Sequence, residues 1–199
     1  SRTQLPGYLT KAQLELTPNI RNSGAAYVND NNQRRDVDSQ RVANKTTVRD
    51  GNNVYEFAAY AMNYSLWHPI DTVVEQNAKT QGGHLKLIQQ RQAHRWTWAY
   101  LPSRGETVGT SSPSDNRGNV MGAPTSAYRQ RSNNQSVYVE DLWQWSANTA
   151  FTLALQHDRA MREVRDERLA SNNMAGTFAQ WSPRLGVTHE VSPDVQWFA

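Results

Sequence analysis

The chain has 199 residues, of which 37% are hydrophobic and 20% charged, and its formal net charge at pH 7 is +3. It contains no cysteine, which excludes disulfides, zinc–thiolate sites and a cysteine nucleophile. The mean hydropathy is −0.80, and no apolar run reaches the roughly 18 residues of a membrane-spanning helix. The balance of 21 basic and 18 acidic residues argues against a dedicated nucleic-acid-binding protein. Seven tryptophans and eight tyrosines are many for so polar a chain.

Near the N-terminus the sequence predicts one short helix, over residues 10–16. Thr10 and Gln13 have the spacing of a capping box, and Pro18 ends the helix within two turns.

Alternation of apolar and polar residues dominates the rest of the chain and predicts strands with one apolar and one polar side. In residues 94–101 the apolar side carries Trp96, Trp98 and Tyr100. In residues 54–68 the predicted apolar side consists of Ala58, Tyr60, Met62, Tyr64 and Leu66. We predict about eight strands, at residues 36–49, 53–68, 83–91, 94–104, 135–145, 149–166, 180–191 and 194–199.

The connections between these strands fall into two sizes. Tight turns rich in Gly, Asn, Asp and Ser are predicted near residues 50–53, 91–94, 146–149 and 192–194. Long polar loops are predicted at residues 6–36, 69–83, 104–135 and 167–179. Short turns at one end and long loops at the other are typical of a transmembrane β-barrel.

Such a barrel also explains the aromatic residues, because Trp and Tyr concentrate in girdles at the two membrane interfaces. Trp96, Trp98, Trp143 and Trp145 all lie beside predicted tight turns, whereas Trp67 lies at the opposite end of its strand. A soluble, tryptophan-rich β-sandwich that binds carbohydrate is an alternative explanation of the same residues.

Several segments, in this order, resemble the barrel domain of TonB-dependent outer-membrane receptors for ferric siderophores. They are LPGYLTKAQL at residues 5–14, RVANKTT at 41–47, LWHPI at 66–70, SVYVED at 136–141, WSPRLGV at 181–187 and VSPDVQWFA at 191–199.

The resemblance implies an all-β, antiparallel transmembrane β-barrel segment with short periplasmic turns and long extracellular loops. About eight strands would belong to a barrel of roughly 22. Residues 1–199 would then be part of the barrel domain, with the plug domain and the TonB box absent from them. The implied location is the bacterial outer membrane, and the implied partners are outer-membrane lipid, a ferric siderophore and, through the plug, TonB. Ferric iron would enter only as the siderophore chelate, with no resident cofactor or metal.

Two sets of candidate site residues follow from this resemblance. Siderophore chelates are often anionic and need cations and aromatic faces, and the candidates for this role are Arg34, Arg35, Trp67, Tyr128, Arg129 and Arg131. Charged residues on the polar side of adjoining strands are expected to contact the plug, and these are Glu140, Asp158 and Arg162.

No catalytic motif accompanies these residues. The five histidines are scattered without the HExxH spacing, and neither a GxSxG motif nor a phosphate-binding P-loop occurs. We therefore expect a protein that is not an enzyme. A complete eight-stranded outer-membrane barrel with a structural or adhesive role remains a second alternative.

Overall fold

The computed structural model describes residues 2–6, 11–16, 34–70, 72–115 and 119–199. They form one antiparallel sheet in which every strand pairs with the next along the chain. The strands are β1 (Arg2–Pro6), β2 (Arg34–Asp50), β3 (Asn53–Pro69), β4 (Thr72–Arg91), β5 (His94–Pro113), β6 (Ser126–Ser146), β7 (Thr149–Asp166), β8 (Met174–Ser192) and β9 (Val195–Phe198). The all-β antiparallel prediction is confirmed.

Two short helical segments accompany the sheet within the residues that the structure describes. Helix α1 (Lys11–Leu16) confirms the predicted helix, and a single 3₁₀ turn (Ala170–Asn172) precedes β8. Within the described ranges, no helix is long and apolar enough to cross a membrane.

The four predicted tight turns are confirmed, each with two residues between paired strands: 51–52, 92–93, 147–148 and 193–194. Gly51 and Gln92 adopt positive φ angles of 54° and 53°, a left-handed backbone that reverses the chain in a short turn.

Two of the predicted long loops are largely strand, which corrects the sequence analysis. Strands β4, β5 and β6 have 20, 20 and 21 residues, so the predicted loop at 69–83 is reduced to residues 70–71 and that at 104–135 to residues 114–125. The predicted loop at 167–179 shrinks to residues 167–173. The reason is that backbone pairing does not require apolar side chains, and each polar half-strand pairs with an equally polar neighbour.

The register separates the sheet into two faces, because directly paired residues of antiparallel strands share a face. One face carries large exposed apolar side chains and is called the apolar face: Phe57, Leu85, Trp98, Tyr100, Val137, Leu153, Leu155 and Leu185. The other, the polar face, carries Glu56, His84, Lys86, Thr97, Glu140, Asp158 and Arg184.

The predicted apolar side of residues 54–68 is wrong. Ala58 pairs with His84 and Glu56 pairs with Lys86, so Ala58, Tyr60, Met62, Tyr64 and Leu66 lie on the polar face. Tyr55, Phe57, Ala59 and Ala61 occupy the apolar face of β3, and with apolar residues on both sides the alternation could not decide between them.

The sheet is a single layer with almost no buried core. Among the described residues, the buried hydrophobic side chains are Leu66 and Val73, at 9% and 1% exposure. Each of the described strands is paired only with its neighbours in sequence, so the sheet is open. A two-layered sandwich and a closed eight-stranded barrel, the two alternative folds, both differ from this arrangement.

Candidate functional site

The sheet curves toward its polar face. Strands two positions apart lie about 9–10 Å from each other, yet polar-face side chains bridge that distance directly. The Gln76 side chain on β4 donates a hydrogen bond of 2.6 Å to the Tyr128 hydroxyl on β6. Arg184 on β8 likewise donates to the Tyr138 hydroxyl on β6, at 3.2 Å. Such bridges are favoured on the inner side of a curved sheet, so they indicate that the polar face is concave and the apolar face convex.

Gly109 makes room for the first of these bridges. A Cβ atom at this position would lie 2.4 Å from the ring of Tyr128, so the ring rests on bare backbone. Tyr128 is thereby held near the far end of the strands from the tight turns, with its hydroxyl bonded to Gln76.

Close to the tight turns, the concave face carries a cluster of charges around one carboxylate. Glu56, whose side chain is 16% exposed, lies 3.2 Å from Lys45 Nζ, 3.6 Å from Lys86 Nζ and 3.8 Å from His84 Nε2. Three basic groups surround a single acid, so the cluster can accept a further anionic partner.

The predicted plug-contacting residues Glu140, Asp158 and Arg162 all lie on the concave face. Glu140 accepts hydrogen bonds from Tyr138 and Arg184. Asp158 accepts from Ser136 and from the amide of Gln156, the latter at 2.8 and 2.9 Å.

The predicted siderophore ligands are divided between the two faces. Arg35 and Tyr128 lie on the concave face, whereas Trp67, Arg129 and Arg131 lie on the convex face. The side chain of Arg34 lies outside the described residues.

On the convex face, Arg129 Nη1 and Arg131 Nε bind the two carboxylate oxygens of Glu106, at 2.7 and 3.0 Å. The two arginines therefore share one carboxylate on the convex face, whereas Tyr128 lies on the opposite face of the sheet.

Sequence reasoning missed Arg41 on β2 and Tyr60 and Tyr64 on β3, which lie close to the predicted Arg35. Arg41 lies with its guanidinium carbon 5.7 Å from the centre of the Tyr60 ring, and Arg35 approaches the Tyr64 hydroxyl at 3.5 Å. The sequence shows that Tyr60 and Tyr64 share one side of β3, but the alternation predicts this side to be the apolar one. Their hydroxyl groups were the feature that could have indicated a polar face.

At the end of the sheet opposite the tight turns, Asp166 organises the connection to β8. Its carboxylate accepts from the Asn172 side chain at 2.8 Å and from the backbone N–H groups of Arg168 and Leu169, both at 2.9 Å. These hydrogen bonds hold the pKa of Asp166 below its ordinary value, and the bond from Asn172 has the largest effect.

Near the tight turns, an aromatic cluster occupies the convex face and confirms the predicted positions of four tryptophans. His94 stacks between Trp96 and Trp143, with ring centres 6.2 and 5.7 Å apart, and Trp143 meets Trp145 edge-on at 4.8 Å. His94 Nδ1 also lies 2.7 Å from Asp141. Across the described ranges, no group of three or more His, Asp or Glu side chains is placed to hold a metal ion.

Comparison with known proteins identifies this architecture. Residues 2–199 match the family model described as TonB dependent receptor-like, beta-barrel. A search of curated proteins finds no match.

Solved structures with the same fold include the ferric citrate transporter FecA in its unliganded form, at 10% identity and a TM-score of 0.72. They also include the siderophore receptor PiuA from Acinetobacter baumannii, at 15% identity and a TM-score of 0.67. The ferric yersiniabactin uptake receptor FyuA from Yersinia pestis has 14% identity and a TM-score of 0.54. These matches cover 83%, 84% and 83% of this chain but only 27%, 32% and 27% of the respective receptors. The chain thus spans about a third or less of the length of these structures.

Proposed function

Because this chain belongs to the β-barrel family of TonB-dependent receptors, we propose that it forms part of the wall of a receptor that imports a ferric siderophore. Barrels of this family lie in the outer membrane of Gram-negative bacteria, and the family comprises transport receptors rather than enzymes. In this assignment the concave face lines the lumen and the tight turns face the periplasm.

The observation that carries the proposal is the set of cations and phenols on the concave face of β2, β3 and β6. Arg35, Arg41, Tyr60, Tyr64 and Tyr128 lie between the mid-height of the strands and the end away from the periplasmic turns. Guanidinium groups and phenol hydroxyls can both donate hydrogen bonds to carboxylate, catecholate or hydroxamate oxygens. This chemistry suits an anionic chelate in which the iron is cargo.

The steps of transport beyond the wall belong to the same proposal. Extracellular loops would capture the chelate, the plug would occupy the lumen, and TonB would act on the plug. The Glu56 cluster, together with Glu140, Asp158 and Arg162, would supply the charged contacts of the wall to that plug.

The test is uptake of radioactive iron by iron-starved cells that carry the full-length receptor as their only siderophore receptor. A panel of catecholate, hydroxamate and citrate chelates is offered to cells with and without TonB. We expect TonB-dependent uptake of at least one chelate. Because a charge-assisted hydrogen bond contributes about 1.5–3 kcal/mol, Arg41→Ala should weaken binding of that chelate about tenfold or more.

Arg91→Ala is the matched control, since Arg91 ends β4 beside a periplasmic turn. Uptake that does not depend on TonB, or no uptake of any ferric chelate, would contradict the proposed function. Equal loss in Arg41→Ala and Arg91→Ala would contradict the placement of the binding site.

A further inference from the structure

A row of directly paired residues crosses the concave face near its end away from the periplasmic turns. The register places Leu66 on β3 opposite Gln76 on β4, Gln76 opposite Gly109 on β5, and Gly109 opposite Tyr128 on β6. Leu66 is one of the buried hydrophobic side chains, at 9% exposure, and the side chains of Gln76 and Tyr128 meet in a partly buried contact. The row is thus a packed part of a sheet that otherwise has almost no core.

Gly109 allows Tyr128 to reach across the whole width of β5. Strands β4 and β6 lie about 9–10 Å apart, and a Cβ atom at position 109 would lie 2.4 Å from the ring of Tyr128 and 2.5 Å from its hydroxyl oxygen. The end of the ring therefore occupies the space that any larger residue would fill. The hydroxyl lies toward β4 and away from Asp166, the residue that pairs with Tyr128 on β7.

The hydrogen bond between Gln76 and Tyr128 has a definite direction. The Nε2 amide nitrogen of Gln76 donates to the phenol oxygen, at 2.6 Å. An amide nitrogen is a donor only, so the hydrogen of the phenol itself must point elsewhere. Within the described ranges, no group of the protein accepts that hydrogen.

Tyr138, closer to the periplasmic turns on the concave face of β6, is the opposite case. Its hydroxyl oxygen accepts a hydrogen bond from Arg184 at 3.2 Å, but its own hydrogen is donated to the carboxylate of Glu140. The donor of Tyr138 is therefore used within the wall, whereas the donor of Tyr128 is available to a molecule in the lumen.

We propose that Gln76 is a positioning residue that fixes Tyr128 as a hydrogen-bond donor to an anionic oxygen atom of the ferric chelate. Carboxylate and catecholate oxygens accept hydrogen bonds, and a bond to a charged acceptor is stronger than a bond between neutral groups. The wall therefore favours an anionic chelate over an uncharged one at this point. The role of Gln76 rests on the proposed import function, because a donor in the lumen matters only if such a chelate passes it.

The direction of the hydrogen bond can be measured without any ligand. Ultraviolet resonance Raman spectra of the purified full-length receptor report whether a phenol oxygen accepts a hydrogen bond, and subtracting the spectrum of Tyr128→Phe isolates this tyrosine. We expect an accepting oxygen in the wild type. Gln76→Met keeps the length of the side chain, removes its N–H groups and should abolish this signature. An unchanged spectrum of Tyr128 in Gln76→Met would overturn the proposal.

The effect on binding is measured by a double-mutant cycle, followed by quenching of tryptophan emission. The probes are iron(III) citrate, an anionic iron(III) tris-catecholate and an uncharged iron(III) tris-hydroxamate. Gln76→Met is compared in the wild type and in Tyr128→Phe. Gln180→Met is the matched control, because Gln180 is an exposed glutamine of the same face, on β8. Migration on unheated gels confirms that each variant is folded.

For an anionic probe, we expect Gln76→Met to weaken binding about fivefold in the wild type and less than about twofold in Tyr128→Phe, since one hydrogen bond is lost in the first case only. Gly109→Ala should displace the ring and weaken binding as much as Tyr128→Phe does, whereas Gln180→Met should have no effect. Equal losses for Gln76→Met in both backgrounds would show a purely structural role and overturn the proposal. Binding of the uncharged probe alone would overturn it as well. Binding of none of the probes to the wild type would contradict the proposed function, and the Raman difference would still decide whether Gln76 holds the phenol as a donor.

Discussion

Gly83 on β4 is the position at which the smallest substitution should cost the most. A Cβ atom built on Gly83 would lie 2.2 Å from the carbonyl oxygen of Ala58 on the neighbouring strand, and 3.3 Å from the Cα of Ala59. Real Cβ atoms essentially never approach a heavy atom closer than 3.0 Å. In Gly83→Ala, β3 and β4 must therefore separate locally by about 0.8 Å or more.

The atoms that must move are backbone atoms of Ala58 and Ala59. Unlike a side chain, they cannot avoid the clash by rotating. Overpacking of this kind costs about 1–3 kcal/mol, and stretching the hydrogen bonds on either side costs about 1 kcal/mol each. The ladder to β5 gives little support here, because pairing with β4 is interrupted at Leu101 and Pro102 and proline has no N–H to donate. We expect Gly83→Ala to lower the free energy of unfolding by about 3 kcal/mol.

The assay is equilibrium urea unfolding of the full-length receptor in lipid vesicles, followed by tryptophan emission. Gly176→Ala on β8 is the matched control, since its Cβ would meet only the Phe178 ring, at 3.4 Å. That substitution should be neutral or stabilising by about 0.5 kcal/mol, because alanine loses less backbone entropy than glycine. Equal unfolding midpoints for Gly83→Ala and wild type would refute the close approach of β3 and β4.

Three further predictions concern charges and aromatic contacts. Because the folded pKa of Asp166 lies below its ordinary value of 3.8, its carboxylate should stabilise the β7–β8 connection at higher pH and lose that contribution as pH falls below 3.8; the hydrogen-exchange protection factor of the Leu169 amide, relative to an unstructured peptide at the same pH, should fall over that range, and in Asp166→Ala it should be low already at neutral pH. Glu56→Gln should lower the urea midpoint, because Lys45 and Lys86 then repel without a carboxylate between them, and added salt should recover part of the loss in the variant; a variant midpoint that does not respond to salt would contradict the electrostatic explanation. Trp143→Ala should cost about 2 kcal/mol by removing ring contacts of about 0.5–1.5 kcal/mol each, measured by the same unfolding titration; an unchanged midpoint would show that the girdle contacts add nothing to stability.

The turns were predictable from sequence because their chemistry is local. A two-residue connection needs residues that tolerate a reversed backbone, and Asp50-Gly51-Asn52-Asn53 provides them without reference to the rest of the chain. The same holds for the short helix and for the aromatic residues of β5 and β6, since each strand carries its tryptophans at alternate positions close to the turn. These local features predict the tight-turn end of the sheet and the class of membrane protein.

The halves of the strands that lie away from the tight turns could not be predicted in the same way, and the reason is physical. Alternation reveals a strand only where one face meets an apolar phase and the other meets water. Above Pro102 both faces of the sheet are polar, so Lys79 on β4 and Arg104 on β5 occupy strand segments that have the composition of loops. Within a predicted loop, the alternate positions of Tyr128 and Arg129 carry no information about which face each side chain occupies. The paired register alone places Tyr128 on the concave face and Arg129 on the convex face, because adjacent residues of a strand point to opposite faces. Which residues lie on which face of this part of the sheet is therefore determined by the pairing of the strands, and it cannot be inferred from the composition of the sequence.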